Sequence, residues 1–520
     1  MNIVLPFDEL SASLDGELYY LDTPAHYALR KVYATDASVY QEMPLAVAIP
    51  RSPNDLSLLV TFAIKNNCTL IPRAAGTSLA GQVVGKGIVV DISKYFTSIV
   101  EVNVSEKWVR VQPGVIRDDL NVSLKSHGLM FGPETSTSNR AMIGGMVGNN
   151  SCGLHSIIWG DTRDNIVELK ALLSDGSEVI FKNLDEEQYK EKLTLSTLEG
   201  SIYRGLEAIM ADEGNRAEIS ANFPKASITR RNTGYALDSI LAMWNRKEFD
   251  VSKLIAGSEG TLCFILEAKL KLLPLPPQEK GIVAVHTHTI KEALLANLVA
   301  LHHACAASEL VDDVILEFTK INIDQSKNRS FVQGSPRAIL MVEFFAATPT
   351  ELEQKANVFI ADLLQKELGY AHPLLLGKDC LKAWDLRKAG LGLLRNEPGN
   401  TQPVNLIEDC AVAPEDLPAY IDEVEALLQK HGLRYSMYAH AGAGELHVEP
   451  MINLKTIDGK NLFRTILAET TKIVKKYNGS LSGEHGDGRL RGEFISYMMG
   501  ERVYSLFGQV KSLFDPHGIF

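Results

Sequence analysis

Two histidines separated by a glycine-rich turn are the sharpest chemical feature of this sequence. His440 and His447 stand seven residues apart in the segment HAGAGELH. On one straight strand their side chains would point to opposite faces and lie about 23 Å apart. Gly442 and Gly444 allow the chain to fold back, which would bring both imidazoles to one point. Two neutral imidazoles with a carboxylate and an open position suit Zn2+, Mn2+ or Fe2+ as a Lewis acid, and a pair of buried, hydrogen-bonded histidines is the alternative.

A second feature is the polar, glycine-rich stretch at residues 131–153, which reads FGPETSTSNRAMIGGMVGNNSCG. Glycine destabilises the interior of a helix or strand, so a packed element does not need this composition. Gly144, Gly145 and Gly148 remove side chains where the backbone approaches something closely, and short polar residues surround them. A bound ligand with many acceptors, such as a diphosphate, suits this stretch, and an ordinary polar surface loop is the alternative.

Two further turns have a similar composition. Residues 73–87 read RAAGTSLAGQVVGKG and lie between apolar runs that predict strands at 68–73 and 88–92. A strand that leads into such a turn presents backbone N–H groups to a phosphate. The segment lacks both GxGxxG and GxxxxGK[ST], so neither the Rossmann nor the P-loop pattern applies, and a tight loop with glycine for geometry alone is the alternative. The third turn, at residues 257–261, reads GSEGT.

The elements that must position these residues follow an α/β pattern from Leu45 onward. Apolar periodicity and turn signals predict a helix at 54–67, strands at 99–104 and 108–111, a hairpin around Asp175-Gly176, mainly helix over 185–250 and a strand at 254–272. The proline-rich segment LPLPPQEK then marks a domain boundary. Beyond it, one sheet with packed helices is predicted, from strands GIVAVHTH, AILMVEFF and VNLIEDCAV and helices at 290–306, 349–367, 378–394, 414–431 and 459–477.

Size and charge restrict the class of protein. A chain of 520 residues is too long for a single core, so two or three domains are expected. The net charge of −12 argues against nucleic acid as a partner, because no basic face is available. No apolar run reaches about 18 residues, and the N-terminus shows no signal peptide. Six scattered cysteines without CxxC spacing indicate a reducing cytoplasm and no iron–sulfur or zinc-ribbon site within this chain.

Five motifs occur in a fixed order, namely PRAAGTSLAGQ, PETSTSNRAMIGGMVGNNSCG, AGSEGTL, HAGAGELH and GEHGDG. Together they resemble the FAD-linked oxidase family, whose flavin-dependent dehydrogenases act on D-lactate, glycolate or D-2-hydroxyglutarate. The resemblance covers about residues 40–520. The N-terminal part is most similar to the long members, which carry a C-terminal iron–sulfur module. Because this chain ends at DPHGIF, where relatives continue with Asn-Pro-Gly, we expect a shortened or split protein whose electron-accepting half is missing.

The resemblance implies an α+β fold in two parts. One is a two-lobed FAD-binding domain of the vanillyl-alcohol-oxidase type, and the other is an α+β substrate (cap) domain with one antiparallel sheet. Residues 1–44 are expected to form an N-terminal extension and residues 45–275 the FAD-binding domain. Residues 276–475 are expected to form the substrate domain, and residues 476–520 to return to the FAD-binding domain.

The resemblance also implies that the three glycine-rich turns hold FAD. Some relatives attach FAD covalently through a histidine in the first turn, but this chain has no histidine there, so noncovalent FAD is expected. Cys152 is expected to be an ordinary buried cysteine, with a thioether link to FAD as the alternative. The expected cofactor-binding residues are Arg73, Ala74, Ala75, Gly76, Thr77, Ser78, Gly81, Pro133, Glu134, Thr135, Ser138, Gly144, Gly145, Asn149, Ser151, Gly153, Glu259, Gly260 and Thr261.

The last motif, GEHGDG, completes the implied metal site and supplies a base. Glu484 matches the third metal ligand of the resembling dehydrogenases, beside His440 and His447, and Zn2+ is favoured over Mn2+ and Fe2+. His485 matches the base that takes the proton of the substrate hydroxyl, and a hydrogen bond to the metal site is the alternative role.

An arginine is expected to bind the substrate carboxylate, because its guanidinium can donate two parallel hydrogen bonds. Arg387 falls where the family carries this arginine, with a solvated helix charge as the alternative, and Arg489 and Arg491 are lesser candidates. Two positions depart from the D-2-hydroxyglutarate enzymes, since Ile407 replaces a lysine and Glu449 an asparagine. The distal part of the substrate is therefore held differently, and 2-hydroxyglutarate cannot be assumed.

The resemblance predicts a flavin- and metal-dependent dehydrogenase of a D-2-hydroxy acid that passes electrons to an iron–sulfur acceptor, fused or separate, and not to NAD. A metal-independent FAD oxidase of an alcohol or sugar is the alternative enzyme. A metal hydrolase that binds a nucleotide substrate and a pure interaction module are alternatives from other classes. We expect a cytoplasmic protein without a transmembrane segment, and peripheral attachment at the inner membrane and homo-oligomerisation stay open.

Overall fold

The structure is a computed structural model that describes residues 5–520 of the chain. Its N-terminal half contains three sheets and its C-terminal half one larger sheet. The strands of the N-terminal half are β1 (Glu17–Tyr19), β2 (Ala46–Ile49), β3 (Leu70–Arg73), β4 (Ile88–Asp91), β5 (Ile99–Asn103), β6 (Trp108–Val111), β7 (Leu129–Met130), β8 (Ile166–Leu172), β9 (Glu178–Lys182), β10 (Phe264–Lys271) and β11 (Leu273–Pro274). Its helices are α1 (Phe7–Ser13), α2 (Pro24–Val32), α3 (Pro53–Asn66), α4 (Arg117–Leu124), α5 (Ile143–Gly148), α6 (Ser156–Trp159), α7 (Glu186–Thr194), α8 (Leu198–Ala211), α9 (Glu213–Asn222), α10 (Leu237–Arg246) and α11 (Ser252–Ile255).

The C-terminal half continues with eight strands and eight helices within the described residues. The strands are β12 (Glu279–Thr287), β13 (Ala307–Asp312), β14 (Ala338–Ala346), β15 (Leu374–Leu376), β16 (Gln402–Pro403), β17 (Ile407–Ala411), β18 (Tyr435–His440) and β19 (Glu445–Ile452). The helices are α12 (Ile290–His302), α13 (Asp313–Ile321), α14 (Pro349–Gln365), α15 (Lys378–Leu394), α16 (Leu417–Lys430), α17 (Ile457–Lys476), α18 (Gly488–Arg491) and α19 (Ile495–Phe514).

The first sheet carries the first glycine-rich turn. Its strand order is β1-β2-β4-β3, and β2 and β3 both pair in parallel with β4. All four residues of β2 (AVAI) are buried, which is typical of parallel strands covered on both faces. Leu56 and Leu59 of α3 pack in the same core as β2 and β4. The sheet therefore holds the end of β3, where the glycine-rich turn begins, on a rigid base.

The second sheet is antiparallel and has the order β5-β6-β10-β8-β9. Alternate residues of β10 are buried, as expected for a strand with one face toward the core. The C-terminal helix α19 bends at Gly500, where φ is 74°, and packs against α8 and α9 of the N-terminal half. The last residues of the chain therefore contact its first half.

The large sheet has the order β15-β12-β14-β13-β18-β19-β16, with β17 also paired to β19. All its pairings are antiparallel. Helices α12 and α14 pack on β12 and β14. The predicted α+β fold, with a two-lobed N-terminal part and one antiparallel sheet in the second part, is confirmed.

Three segments differ from the secondary structure that the sequence predicts. The strand predicted at 254–272 begins only at Phe264, because α11 and the turn at 257–261 precede it. Strand β13 was not predicted, since Glu309 and Asp312 interrupt its apolar pattern although all its residues are buried. The polar stretch at residues 131–153 contains the short helix α5. This helix needs a glycine at Gly144, because a Cβ there would lie 2.6 Å from Pro113 Cβ.

Within residues 5–520, no helix has both the length and the apolar character needed to cross a membrane. The six cysteines are all buried, and none forms a disulfide in this part of the chain.

Candidate active site

A tight hairpin brings His440 and His447 together. His440 ends β18, a short 3-10 helix at Ala441–Ala443 follows, and His447 is the third residue of β19. Gly444 has a φ of 78°, and a Cβ there would lie 2.0 Å from the carbonyl oxygen of Val412. The two imidazole centroids are 5.1 Å apart. The reversal that the glycines predict is present, and it places the two rings side by side.

Glu484 lies at the centre of three imidazoles. Its Oε1 is 3.5 Å from His440 Nε2, 3.9 Å from His447 Nε2 and 3.3 Å from His485 Nε2. Asp409 holds this loop in place, because its carboxylate accepts hydrogen bonds from the backbone N–H groups of Glu484 (2.6 Å) and His485 (3.0 Å). The structure therefore brings together the three candidate metal ligands and the candidate base.

Glu445 adds a fourth donor that the sequence analysis missed. Its Oε1 is 3.3 Å from His447 Nε2, and this buried oxygen has no hydrogen-bond partner among the described residues. One donor atom from each of His440, Glu445, His447 and Glu484 lies within 4.8 Å of the others. The available signal was a carboxylate two positions before His447, a spacing that places both side chains on the same face of a strand.

Arg230 links the two carboxylates of this cluster and was also missed. Its NH1 donates to Glu445 Oε2 (2.8 Å) and to Glu484 Oε2 (3.0 Å). Its NH2 donates to Ser156 Oγ (2.9 Å) and to the carbonyl oxygen of Gly153. The guanidinium thus holds one oxygen of each carboxylate and leaves both Oε1 atoms facing the imidazoles. No local pattern indicates this role, because the partners lie 215 and 254 residues away in sequence.

Six buried carboxylates and three buried arginines surround the three imidazoles. The buried carboxylates are Glu309, Glu408, Asp409, Glu445, Glu449 and Glu484, and the buried arginines are Arg230, Arg387 and Arg491. Burial opposes charge on His440 and His485, but Glu309 raises the pKa of His440 to about 9, and Glu408 with Asp409 raises the pKa of His485 well above its usual range. Burial likewise raises the pKa of Glu445 and of Glu449 to about 8, so a cation bound among these groups would displace protons from them.

A divalent cation fits this environment. Burial lowers the pKa of His447 to about 4, so its imidazole is neutral, as metal binding requires, whereas His440, with a pKa of about 9, would release its proton when a cation binds. Burial also opposes ionisation of Glu484, but Arg230 and His440 outweigh it and hold the pKa of Glu484 well below its usual range. Imidazole nitrogens with carboxylate oxygens, one of them unpartnered, form a donor set that suits Zn2+, Mn2+ or Fe2+.

Arg387 lies on α15 beside a large cavity that also contains the histidines. Its NH2 is 2.8 Å from Glu309 Oε2, and its guanidinium carbon is 4.8 Å from the centre of the Tyr438 ring. The side chain is buried, and its Nε has no hydrogen-bond partner in the part of the chain described. Glu309 Oε1 accepts a hydrogen bond from His440 Nδ1 (2.8 Å) if that nitrogen carries the proton. Arg387 is thus linked through Glu309 to His440, and its Nε keeps a free donor for an anion.

The two lesser arginine candidates lie away from this cavity. Arg489 NH1 donates to Glu42 Oε2 at 2.7 Å, near the N-terminus. Arg491 is fully buried, and its NH2 lies 3.5 Å from Glu408 Oε2 and 3.8 Å from Asp409 Oδ2. The positive charge of Arg491 therefore offsets the negative charge of Glu408 and Asp409, next to the histidines.

The predicted cofactor turns surround a cleft that has about 950 Å³ of empty space and is partly open to solvent. Gly145 and Gly148 line it, and a Cβ on them would approach no protein atom closer than 3.5 Å and 3.9 Å, respectively. Bare backbone therefore faces the space, as a cradle for a diphosphate cofactor requires. The predicted cofactor residues that line this cleft are Arg73, Ala74, Ala75, Gly76, Thr77, Ser78, Thr135, Gly144, Gly145, Asn149, Ser151, Glu259 and Gly260.

Six predicted cofactor residues lie elsewhere. Glu134, Ser138 and Gly153 line the large cavity. Gly81 packs against the Tyr40 ring, the carbonyl oxygen of Pro133 accepts a hydrogen bond from Arg117 Nε (3.0 Å), and Thr261 Oγ1 is hydrogen-bonded to the Tyr235 hydroxyl (2.7 Å). Their positions away from the cofactor cleft depend on how the chain packs, which the sequence motifs alone do not specify.

Each cofactor turn contacts the loop that carries Glu484 and His485. Gln82 Nε2 (2.5 Å) and Asn149 Nδ2 (3.4 Å) both donate to the carbonyl oxygen of His485. The carboxylate of Glu259 accepts hydrogen bonds from the backbone N–H groups of Asp487 (2.7 Å) and Gly488 (2.9 Å). The cofactor cleft and the histidine cluster are therefore held as one unit.

The cavities at this unit adjoin one another. A connecting cleft shares residues 75–78 with the cofactor cleft, and it shares Cys152, Glu484 and His485 with the large cavity. Cys152 is buried, with its Sγ 3.7 Å from Glu484 Oε2. Glu484 and His485 thus lie at the junction of the two spaces.

Comparison with known families covers most of the chain. Residues 44–182 match the family described as FAD binding domain, and residues 276–520 match the C-terminal domain of FAD linked oxidases. The chain is 35% identical to a D-2-hydroxyglutarate dehydrogenase of Pseudomonas putida over 505 residues, and 33% identical to that of Escherichia coli over 513 residues. Each match covers 95% of this chain and 49% of the relative, so the chain spans about half the length of these relatives. Glycolate oxidase subunit GlcD of Bacillus subtilis is 24% identical, over 94% of this chain and 91% of its own length.

Solved structures show the same fold at low sequence identity. A 4-ethylphenol oxidase from Gulosibacter chungangensis matches with a TM-score of 0.66 and 13% identity, over 99% of this chain and 95% of that one. An alkyldihydroxyacetonephosphate synthase matches with a TM-score of 0.62 and 16% identity, over 99% and 84% of the two chains. These structures show the fold, and the two family matches show that the chain carries both domains of the FAD-linked oxidases.

Proposed function

We propose that this chain oxidises a D-2-hydroxy acid to the 2-oxo acid, with FAD as hydride acceptor and a divalent metal at the histidine cluster. The observation that carries the proposal is the position of Glu484 and His485, which line both the connecting cleft and the large cavity. The names of the relatives, D-2-hydroxyglutarate dehydrogenase and glycolate oxidase subunit, support the same class of substrate.

Oxidation of a 2-hydroxy acid removes a proton from the hydroxyl group and a hydride from the α-carbon. Noncovalently bound FAD would supply the hydride acceptor, and a divalent cation would supply a Lewis acid that lowers the pKa of the hydroxyl group. His440, His447, Glu484 and Glu445 would hold the cation, and the residues of the cofactor cleft would hold FAD. His485 Nε2, which faces Glu484, would take the hydroxyl proton once a bound cation has displaced the proton that Glu408 and Asp409 favour on this ring.

Arg387 binds the substrate carboxylate in this proposal. Its unpartnered Nε lies in the same cavity as His440, and a buried guanidinium binds a carboxylate more strongly than a solvated one does. Glu309 contacts both Arg387 and His440, so one connected set of side chains orients the carboxylate and the cation site.

We favour a dicarboxylic 2-hydroxy acid over lactate or glycolate. The large cavity is partly open to solvent and has a volume of about 850 Å³, and Arg140, Lys280 and Lys388 line it in addition to Arg387. These cations suit a second carboxylate on the substrate. Glu449, which replaces the asparagine of the relatives, is buried against Asn405 (2.9 Å) and Tyr438 (3.5 Å), where its carboxyl group supports the wall of the cavity.

Anaerobic reduction of the flavin tests this function. The chain is loaded with FAD and Zn2+ and mixed with D and L enantiomers of lactate, malate and 2-hydroxyglutarate, and with glycolate, while the visible flavin absorbance is recorded. We expect bleaching by one D enantiomer, loss of bleaching after EDTA and recovery with added metal. Bleaching that persists after EDTA would contradict the metal role and favour the metal-independent oxidase. The absence of bleaching by every D acid would contradict the substrate class.

The electron acceptor is a separate part of the proposal. From the resemblance to the long family members, we propose that an iron–sulfur protein, fused or separate, reoxidises the flavin. The substrate-reduced chain is mixed anaerobically with a soluble ferredoxin or with NAD+, and the return of flavin absorbance is followed. Reoxidation by NAD+ and not by ferredoxin would contradict this choice of acceptor.

A further inference from the structure

The loop at residues 484–488, called the Glu484 loop, carries a candidate metal ligand and contacts the third cofactor turn at Glu259. The carboxylate of Glu259 accepts hydrogen bonds from the backbone N–H groups of Asp487 (2.7 Å) and Gly488 (2.9 Å). Each bond uses a different carboxylate oxygen, Oε1 for the first and Oε2 for the second. Both oxygens of one side chain in the cofactor turn therefore hold the backbone of the loop that carries the metal ligand.

Glu259 makes this contact from an unfavourable backbone conformation. Its φ is 55°, in the left-handed region, and Gly257 and Gly260 in the same turn have φ values of 86° and 74°. Glycine adopts this region freely, whereas a residue with a Cβ rarely does. Non-glycine residues in such conformations are destabilising and cluster at functional sites. The glutamate at this position is therefore explained by what its side chain binds, because glycine would suit the backbone better.

The Glu484 loop is packed tightly between two of the cofactor turns. A Cβ at Gly486 would lie 2.6 Å from Glu259 Oε1. A Cβ at Gly488 would lie 2.4 Å from the carbonyl oxygen of Ala80, in the first turn. Because the loop has no free space on either side, a shift of either turn would move the loop.

Glu259 also belongs to the wall of the cofactor cleft. It lines that cleft together with Gly148, and its backbone N–H donates to the carbonyl oxygen of Gly148 at 2.8 Å. A cofactor that fills the cleft restricts the motion of the glycine-rich turns around it. A ligand that orders one part of a protein lowers the entropic cost of binding a second ligand that needs the same order. The Glu484 loop is the part that the two sites share.

We propose that Glu259 is a positioning residue that couples the two sites, so that bound FAD and a bound divalent metal each raise the affinity of the chain for the other. The inference rests on the proposed function, in which FAD fills the cleft and the metal binds at Glu484. The two effects must be equal, because a coupling free energy belongs to the pair of ligands.

Paired titrations of the wild type measure this coupling. Chain stripped of flavin and metal is titrated with FAD, with and without saturating Zn2+, and flavin fluorescence is followed. Zn2+ affinity is measured by competition with a chromophoric chelator, with and without saturating FAD. We expect Zn2+ to tighten FAD binding about tenfold and FAD to tighten Zn2+ binding by the same factor.

The titrations are made at about pH 8.5, so that Glu259 is ionised. Burial, with a contribution from Asp487, raises the pKa of Glu259 to about 8. Only the ionised carboxylate offers both oxygens as acceptors, because a protonated carboxyl group carries a donor on one of them. The full coupling is therefore expected above this pKa.

Two substitutions at residue 259 break the link in different ways. Glu259→Gln keeps the size of the side chain but has one acceptor oxygen, so it loses one of the two hydrogen bonds. Glu259→Gly loses both bonds and suits the positive φ, so its effect cannot come from backbone strain. We expect the coupling factor to fall below about threefold in Glu259→Gln and to about one in Glu259→Gly, while each ligand alone still binds. Melting curves show whether the fold persists.

Glu367 provides a matched control. It is an exposed glutamate with the same φ of 55°, and it lies outside the described linings of the cofactor cleft and the large cavity. Glu367→Gln and Glu367→Gly repeat the same chemical and backbone changes away from both sites. Both variants should keep the full coupling factor.

The outcomes separate this inference from the proposed function. A wild-type chain that binds FAD and Zn2+ independently would overturn the inference alone, as would undiminished coupling in both variants at residue 259 or an equal loss in the Glu367 variants. A wild-type chain that binds no Zn2+ would overturn the metal role and the inference with it. Intact coupling without flavin reduction by any D acid would overturn only the proposed reaction.

Discussion

His155 Nε2 lies 2.6 Å from Glu343 Oε2, and this contact joins the N-terminal half of the chain to the large sheet. The other ring nitrogen, Nδ1, lies 2.6 Å from Glu134 Oε1. Trp384 Nε1 donates to the second oxygen of Glu343 at 3.0 Å. All four side chains line the large cavity. The protonated imidazole of His155, between the carboxylates of Glu134 and Glu343, therefore forms a clamp that joins the two halves of the chain at the wall of the large cavity.

We expect this clamp to weaken as pH rises from about 6.5 to about 9. Burial opposes protonation of His155, but Glu134 and Glu343 raise its pKa from 6.5 to about 9, so the folded chain binds this proton more tightly than the unfolded chain. The stabilisation is fully present below the unfolded pKa and is lost as pH passes about 9, and the shift corresponds to about 3 kcal/mol. Melting temperatures of the wild type and His155→Gln across this range check it. The difference between them should shrink as pH rises, and a constant difference would contradict the prediction.

Replacing Arg230 should make stability depend on metal. Arg230→Met leaves Glu445 and Glu484 buried next to each other without their shared cation, which costs about 3–5 kcal/mol in a buried ion pair. Added Zn2+ offsets the same negative charge, so it should raise the melting temperature of the variant more than that of the wild type. Differential scanning fluorimetry with and without Zn2+ measures both effects. Equal Zn2+ shifts in the two proteins would argue against a metal at these carboxylates.

A side chain at Gly145 should exclude FAD without unfolding the chain. The Cβ of Gly145→Val would contact Ala74 at an ordinary 3.5 Å, and the added methyl groups would enter the cofactor cleft. We expect the ratio of flavin to protein absorbance to fall by more than tenfold. Gly508→Val on α19 is the control, because open space surrounds that glycine in another helix interior. Full flavin content in Gly145→Val would place the cofactor elsewhere.

Arg387→Lys should weaken substrate binding more than it slows the reaction. Lysine keeps the charge beside Glu309 but loses the planar pair of donors that recognises a carboxylate. We expect KM for the D acid to rise about ten- to a hundredfold, which corresponds to the loss of a charge-assisted hydrogen bond. Steady-state kinetics with an artificial electron acceptor measures it. Lys382→Met on the same helix serves as the control and should leave KM unchanged, whereas an unchanged KM in Arg387→Lys would assign the carboxylate to another cation.

Local sequence patterns predicted much of the framework of the site. Helix α15 begins and ends at the residues that the apolar periodicity predicts, and the glycines of HAGAGELH indicate the chain reversal that brings His440 to His447. These features depend on neighbouring residues, because periodicity sets the buried face and a glycine sets the backbone conformation. The three cofactor turns could be predicted for the same reason.

The electrostatics of the site were decided by the tertiary structure alone. Arg230, Glu309 and Glu408 come from a loop and two strands far apart in sequence, and each meets a histidine or Glu484 only after packing. The charge of a buried group depends on how completely water is excluded and on which charges face it. Neither quantity is a property of a short segment. The sequence by itself therefore determined the candidate ligands and the candidate cofactor turns, and the packing of distant elements decided which charges surround them and which way each imidazole faces.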